Sequence, residues 1–165
     1  MRTAFAALAL ASVVSSHAWA VNSDGTIPDP KLTTGAPELA TQDLDVICHH
    51  KTSERRHTTT AEKNEVYRLY ELKTHHSGWC AGPHGCSVDH VTPLECGGAD
   101  VVANLFPQKG DGPYNQEDKN RLEGLCHKLV CAGKITPAEG QRWFMPDWRI
   151  EYGKRFGPIR GEEGK

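Results

Sequence analysis

Asp89 and His90 stand side by side in VDHVTPLECGGADVVANLFPQ, residues 88–108, ahead of a proline, a double glycine and Asn104. An acid, an imidazole and an amide around one tight loop admit three readings: a satisfied core histidine, a structural metal site, or a hydrolytic centre. The last has definite chemical content. Hydrolysis of a phosphodiester needs a base to take a proton from the attacking water, and a histidine is poised for that near neutral pH. It needs positive charge against the phosphoryl and leaving oxygens, which a divalent ion supplies. A carboxylate plus an amide or carboxylate oxygen from a second element holds a hard ion and leaves positions open for water and phosphate. Asp89, His90 and an Asn or Asp from a following helix make that set. Neighbours on a strand point to opposite faces, so Asp89 and His90 share one site only where the strand ends or bulges.

The elements that must position these residues are legible in outline. SVDHV alternates and predicts a short strand that Pro93 ends. VVANLF predicts a second strand carrying Asn104 and closed by Pro107. Gly97 and Gly98 mark the turn between them. A helix is expected over 116–131, with Leu122, Leu125, Cys126, Leu129 and Val130 on its apolar face and Gly133 as its stop. The chemical unit is therefore strand, loop, strand, helix. Around it, Thr59 with Glu62 forms a capping box for a helix over 60–73 that buries Val66, Tyr67, Leu69, Tyr70 and Leu72. Thr136-Pro137-Ala138-Glu139 starts a short helix that stops before Pro146. The tail DWRIEYGKRFG is expected to pack Trp148, Ile150, Tyr152 and Phe156 back onto the domain.

The first twenty residues read as a secretory leader: Arg2, an apolar run too short for a bilayer, then Ala18-Trp19-Ala20. Residues 21–42, rich in proline and glycine, read as an extended segment outside the core. Residues 43–165 read as one domain. All six cysteines lie beyond the leader, which predicts three disulfides and an exported protein, periplasmic or extracellular. The turn-forming run AGPHG favours a local bridge between Cys80 and Cys86. The rival is a structural zinc site on Cys80, Cys86, Cys126 and Cys131, whose spacings are wider than zinc knuckles use.

The formal charge of −2 argues mildly against a generally basic nucleic-acid binder. Lys51, Arg55, Arg56 and Lys63 nevertheless crowd one segment with His49, His50 and His57. A guanidinium matches phosphate bidentately, so Arg55 and Arg56 are candidate phosphate ligands, with a solvated charged face as the alternative. The pairs His49-His50 and His75-His76 read as loop residues.

The run of Asp89-His90, Pro93-Leu94, Gly97-Gly98 and Asn104-Leu105 resembles the HNH nuclease motif, carried on a ββα-metal (His-Me) finger. IPDPKLTTG, NLFPQ, Lys119-Asn120-Arg121-Leu122-Glu123 and HKLVCAGKIT extend the likeness to a group of exported bacterial HNH proteins, over most of residues 27–156. The resemblance implies an α+β fold: a ββα hairpin with packing helices in one small disulfide-stapled domain. It implies that His90 is the general base, Asp89 a metal ligand, and Asn104 the residue that braces the loop and orients the histidine. The second ligand belongs on the helix. Asn120 is the first candidate, with Asn115 and Asp118 as rivals. Asn120, Glu123 and His127 share a polar stripe at i, i+3 and i+7 that reaches the ion or is solvated. One divalent metal ion is expected, magnesium or manganese, with zinc or nickel if His127 takes part. The implied activity is a divalent-metal-dependent endonuclease acting on nucleic acid, DNA favoured over RNA, with low sequence specificity. No membrane and no obligate protein partner is implied. The alternative is a secreted, cysteine-stapled binding protein that keeps an inactive HNH scaffold.

Overall fold

The computed structural model describes residues 23–159; the leader expected at 1–20 lies outside them. The described residues form a mixed α+β domain. Its helices are α1 (Leu44–Cys48), α2 (Thr52–Arg55), α3 (Thr60–Leu69), α4 (Gln116–Cys131), α5 (Pro137–Arg142) and α6 (Trp148–Phe156). Its one sheet pairs β1 (Cys86–His90) with β2 (Leu105–Lys109), antiparallel, with His90 opposite Leu105 and Cys86 opposite Lys109. No helix among the described residues is long and apolar enough to cross a membrane.

Local chemistry sets most of these boundaries. The Thr59–Glu62 capping box starts α3 with both reciprocal hydrogen bonds formed. Asn115 and Asp118 form a second capping box at the start of α4, and Thr136 accepts from the Glu139 N–H ahead of α5. These contacts satisfy amide donors that a helix start leaves without partners. Helix α3 is shorter than expected, because Tyr70 caps it and Glu71 turns into the left-handed region at φ 57°. Leu72 still reaches the core from beyond the helix end. Strand β2 is shifted along the chain: Val102–Asn104 form a tight turn, and Pro107 lies inside the strand rather than closing it. The register explains why proline is tolerated. The Lys109 N–H points outward to the Gly25 carbonyl at 2.9 Å, so the ring nitrogen two residues earlier faces the same outer edge, where the β1–β2 ladder needs no donor.

Two apolar clusters flank the sheet and α4. One gathers Ile47, Leu122, Cys126, Val130, Phe144, Trp148 and Tyr152; the other gathers Val66, Tyr70, Val91, Leu105 and Phe106. The tail becomes α6, with Trp148 and Tyr152 buried and Phe156 packed against them, but Ile150 faces outward. The described part of the 21–42 segment is irregular, as expected, yet it packs into the core. Thr26, Asp29, Thr33 and Ala36 are buried. Trp148 Nε1 donates to the Thr26 carbonyl (2.6 Å), and Thr33 Oγ1 donates to the Leu105 carbonyl (3.0 Å). Its polar backbone is thereby satisfied by side chains and strand ends, which is how an irregular segment can be buried.

The cysteines pair as Cys48–Cys131, Cys80–Cys86 and Cys96–Cys126. The local bridge is the one expected across AGPHG. Cys126 and Cys131 go to separate partners, so the four cysteines of the zinc alternative are not gathered. Three bridges are consistent with an oxidising compartment.

Candidate active site

Strand β1 ends at His90, and there Asp89 and His90 open onto one cleft of about 100 Å³, shared with Thr52, Arg56, Glu95 and Glu123. The strand end thus resolves the opposite-faces problem. His90 is 4% exposed. Its Nε2 lies 2.7 Å from Asp100 Oδ1. Asp100 is held in turn by the His57 N–H and by Thr58 Oγ1 (2.6 Å). Burial alone would raise the Asp100 pKa, but the hydrogen bonds from Thr58, His57 and His90 bring it below the ordinary carboxylate value. An ionised carboxylate only accepts, so His90 carries its proton on Nε2. Its Nδ1 takes no protein partner among the described residues and is the nitrogen left to act as a base. Burial lowers the His90 pKa, and Asp100 opposes that shift, so the imidazole is neutral near pH 7 as a base must be.

The histidine is therefore oriented by Asp100, not by Asn104 as expected. Asn104 braces the loop. Fully buried, it accepts from the Thr92 N–H at 2.9 Å and donates Nδ2 to the carbonyls of Thr92 (2.9 Å) and Ala99 (2.8 Å). It sits in the turn before β2, and its own carbonyl accepts from the Val91 N–H at 2.7 Å. The glycines fit the same loop for two reasons. Gly97 adopts φ 92°, and a Cβ on Gly98 would collide with the Thr92 carbonyl.

Arg55 is used to hold the loop. Its Nη1 donates to the Leu94 carbonyl (2.7 Å) and its Nη2 to the Gly98 carbonyl (2.9 Å). The fork clamps backbone carbonyls and not a phosphate. Arg56 is exposed and lines the cleft, so it alone of the pair can meet a ligand there.

Helix α4 brings Glu123 of the expected stripe to the cleft, but not Asn120 or His127. Asn120 is exposed and does not line the cleft. Asn115 and Asp118 are spent on capping, and Asp118 also lies near the Tyr152 hydroxyl at 3.4 Å. His127 Nδ1 is tied to the Glu95 carbonyl at 2.9 Å. The residue that reaches Asp89 is Lys119, fully buried, whose Nζ donates to Asp89 Oδ2 (2.7 Å), the His90 carbonyl (2.7 Å) and Glu123 Oε1. An ammonium has three donors, and all three are used. Burial opposes ionisation of each partner. For Asp89 the lysine outweighs burial and the carboxyl stays below its ordinary pKa; Lys119 is likewise raised by its two carboxylates. For Glu123 burial wins over the lysine, helped by the like charges of Asp89 and Glu95, and its pKa rises to about 7. Glu95 is also raised, chiefly by burial.

Lys119 and Asp100 are the site residues that motif spacing missed. A signal for Lys119 existed: it lies three residues before Leu122 and seven before Cys126, on the apolar stripe, where an unpaired lysine is almost never buried. Nothing in the sequence distinguishes Asp100 from any other loop acid.

The donor set expected for a divalent ion does not assemble. Asp89 is matched by an ammonium, Asn120 points elsewhere, and no three His, Cys, Asp or Glu side chains among the described residues gather as an ion-holding group. Comparison with protein-family models, with curated proteins and with solved structures returns no match.

Proposed function

We propose that this chain is an endonuclease hydrolysing phosphodiester bonds of nucleic acid, DNA favoured over RNA, built on an HNH-like ββα unit of β1, β2 and α4. The observation that carries the reading is the Asp100–His90 pair, whose histidine lines the cleft. A buried imidazole has its tautomer fixed by a carboxylate, and its second nitrogen is left to accept a proton from water. Asp89 sits beside it at the same strand end. Asn104 and Arg55 hold the loop that carries Asp100. Arg56 supplies an exposed positive charge at the cleft. The cleft's three carboxyls are a smaller obstacle to a phosphate than their number suggests, because Lys119 balances Asp89, and Glu95 and Glu123 ionise reluctantly. Contacts of this kind read phosphate and not bases, so cleavage is weakly sequence-specific and sensitive to salt.

The test is digestion of supercoiled plasmid by the purified, oxidised protein beside His90→Ala, each with EDTA and with Mg²⁺, Mn²⁺ or Zn²⁺. Nicking that disappears in His90→Ala supports the reading. Nicking that survives the substitution removes His90 as the base. The second reading, a secreted binding protein on an inactive HNH scaffold, is favoured by one observation: the expected metal ligand Asp89 is already paired. It gains if plasmid, single-stranded DNA and RNA all remain intact under every condition.

A further inference from the structure

We propose that the Lys119 ammonium is the resident cation of this cleft, filling the place between Asp89 and Glu123 that a divalent ion would take, so that the site acts without a metal. The catalytic half of this inference rests on the nuclease reading above; the binding half stands by itself. Lys119 comes from the helix that follows the β1–β2 hairpin, the element expected to supply the second metal ligand. It meets the carboxylate expected to be the first. A third bond to the His90 carbonyl fixes the backbone of the base itself. Lys119 is a positioning residue and not a catalytic one. Its three donors are satisfied and its side chain is fully buried, so it holds charge balance behind the cleft without touching substrate. Arg56, exposed in the cleft lining, is the cation left to meet the phosphoryl oxygens. A divalent ion placed on Asp89 would face that fully buried ammonium across a single, mostly buried carboxylate, where screening by water is weak and like charges repel.

The decisive experiment is a Mn²⁺ titration of the folded, oxidised protein, followed by the paramagnetic resonance signal of free Mn²⁺. The wild type, Asp89→Asn, Lys119→Met and the double variant Lys119→Met/Asp89→Asn are compared. Wild type and Asp89→Asn are expected to give the same weak background. Lys119→Met, which keeps the chain length and removes the charge, is expected to bind Mn²⁺ roughly tenfold more tightly or better. The double variant is expected to lose that gain. A wild-type Mn²⁺ site abolished by Asp89→Asn overturns the proposal. So does a Lys119→Met protein that folds and binds no better than wild type. Should Lys119→Met fail to fold, the wild-type and Asp89→Asn titrations decide alone. Plasmid nicking adds a separate readout. Equal rates in EDTA and in Mg²⁺ support the proposal, and nicking lost in EDTA but restored by Mg²⁺ overturns it while leaving the nuclease intact. Absence of nicking under every condition removes the nuclease reading, and the Mn²⁺ titration still decides which cation belongs in the cleft.

Discussion

Replacing Asn104 with alanine should unlock the catalytic loop from a position that touches no substrate. The amide makes three buried hydrogen bonds across the loop, two to Thr92 and one to Ala99. A net contribution of about 1 kcal/mol each, with the Thr92 N–H then stranded in a dry site, gives a loss of about 3 kcal/mol. Urea denaturation with the disulfides intact measures it as a lower midpoint at unchanged m-value. Asn104→Asp sharpens the test. One carboxylate oxygen can still accept from the Thr92 N–H, but the other faces the Thr92 and Ala99 carbonyls, which repel an anion. The folded state then favours the protonated acid, so its folded pKa lies above the unfolded value of about 4. Stability is retained below the unfolded pKa and lost as pH rises through the folded one. Asn104→Asp should therefore be at least as damaged as Asn104→Ala at pH 7 and recover relative to it near pH 4. Because Ala99 adjoins Asp100, which holds His90, cleavage should fall in both variants even where they remain folded. A loss of under about 0.5 kcal/mol for Asn104→Ala would refute the brace, since that is the scatter of neutral surface changes.

Other residues give independent tests. Glu123 titrates at about 7 in the folded chain against an ordinary 4.5; its contribution is full below about 4.5 and lost as pH rises toward 7, so Glu123→Gln should flatten that part of the stability profile in thermal melts. Arg55→Lys cannot reproduce the fork onto Leu94 and Gly98 and should cost about 1–3 kcal/mol in urea. Arg56→Ala should leave the urea midpoint unchanged, weaken DNA binding and reduce its salt slope by about one, and an unaltered slope would remove Arg56 from the interface. Opening the Cys48–Cys131 bridge, which spans 83 residues, with paired serine substitutions should cost about 4–5 kcal/mol in a chain-entropy account, and a melt within error of wild type would refute it.

Features with local causes could be read from the residues alone. Helix α4 spans the residues that its apolar spacing and its glycine stop predict, because stop signals and periodicity involve residues within one or two turns. The same is true of the start of α3, the start of α5 and the Cys80–Cys86 bridge. The Asp89-His90 pair was legible as adjacent residues before a proline turn, and the Asn104 brace only through the resemblance to the HNH motif. Long-range packing chose which side of α4 faces the strand end. Asn120 and Lys119 differ by one residue, about 100° around a helix, and the choice between them was made by packing Leu122, Cys126 and Val130 against Phe144 and Trp148. Packing also put Asp100 and not Asn104 against the imidazole, turned Arg55 onto carbonyls, and built the segment before residue 43 into the core. Each of these depends on a contact that residue type and local spacing do not encode. A side chain's type shows what it can bond, and only the packed fold brings the partner within reach.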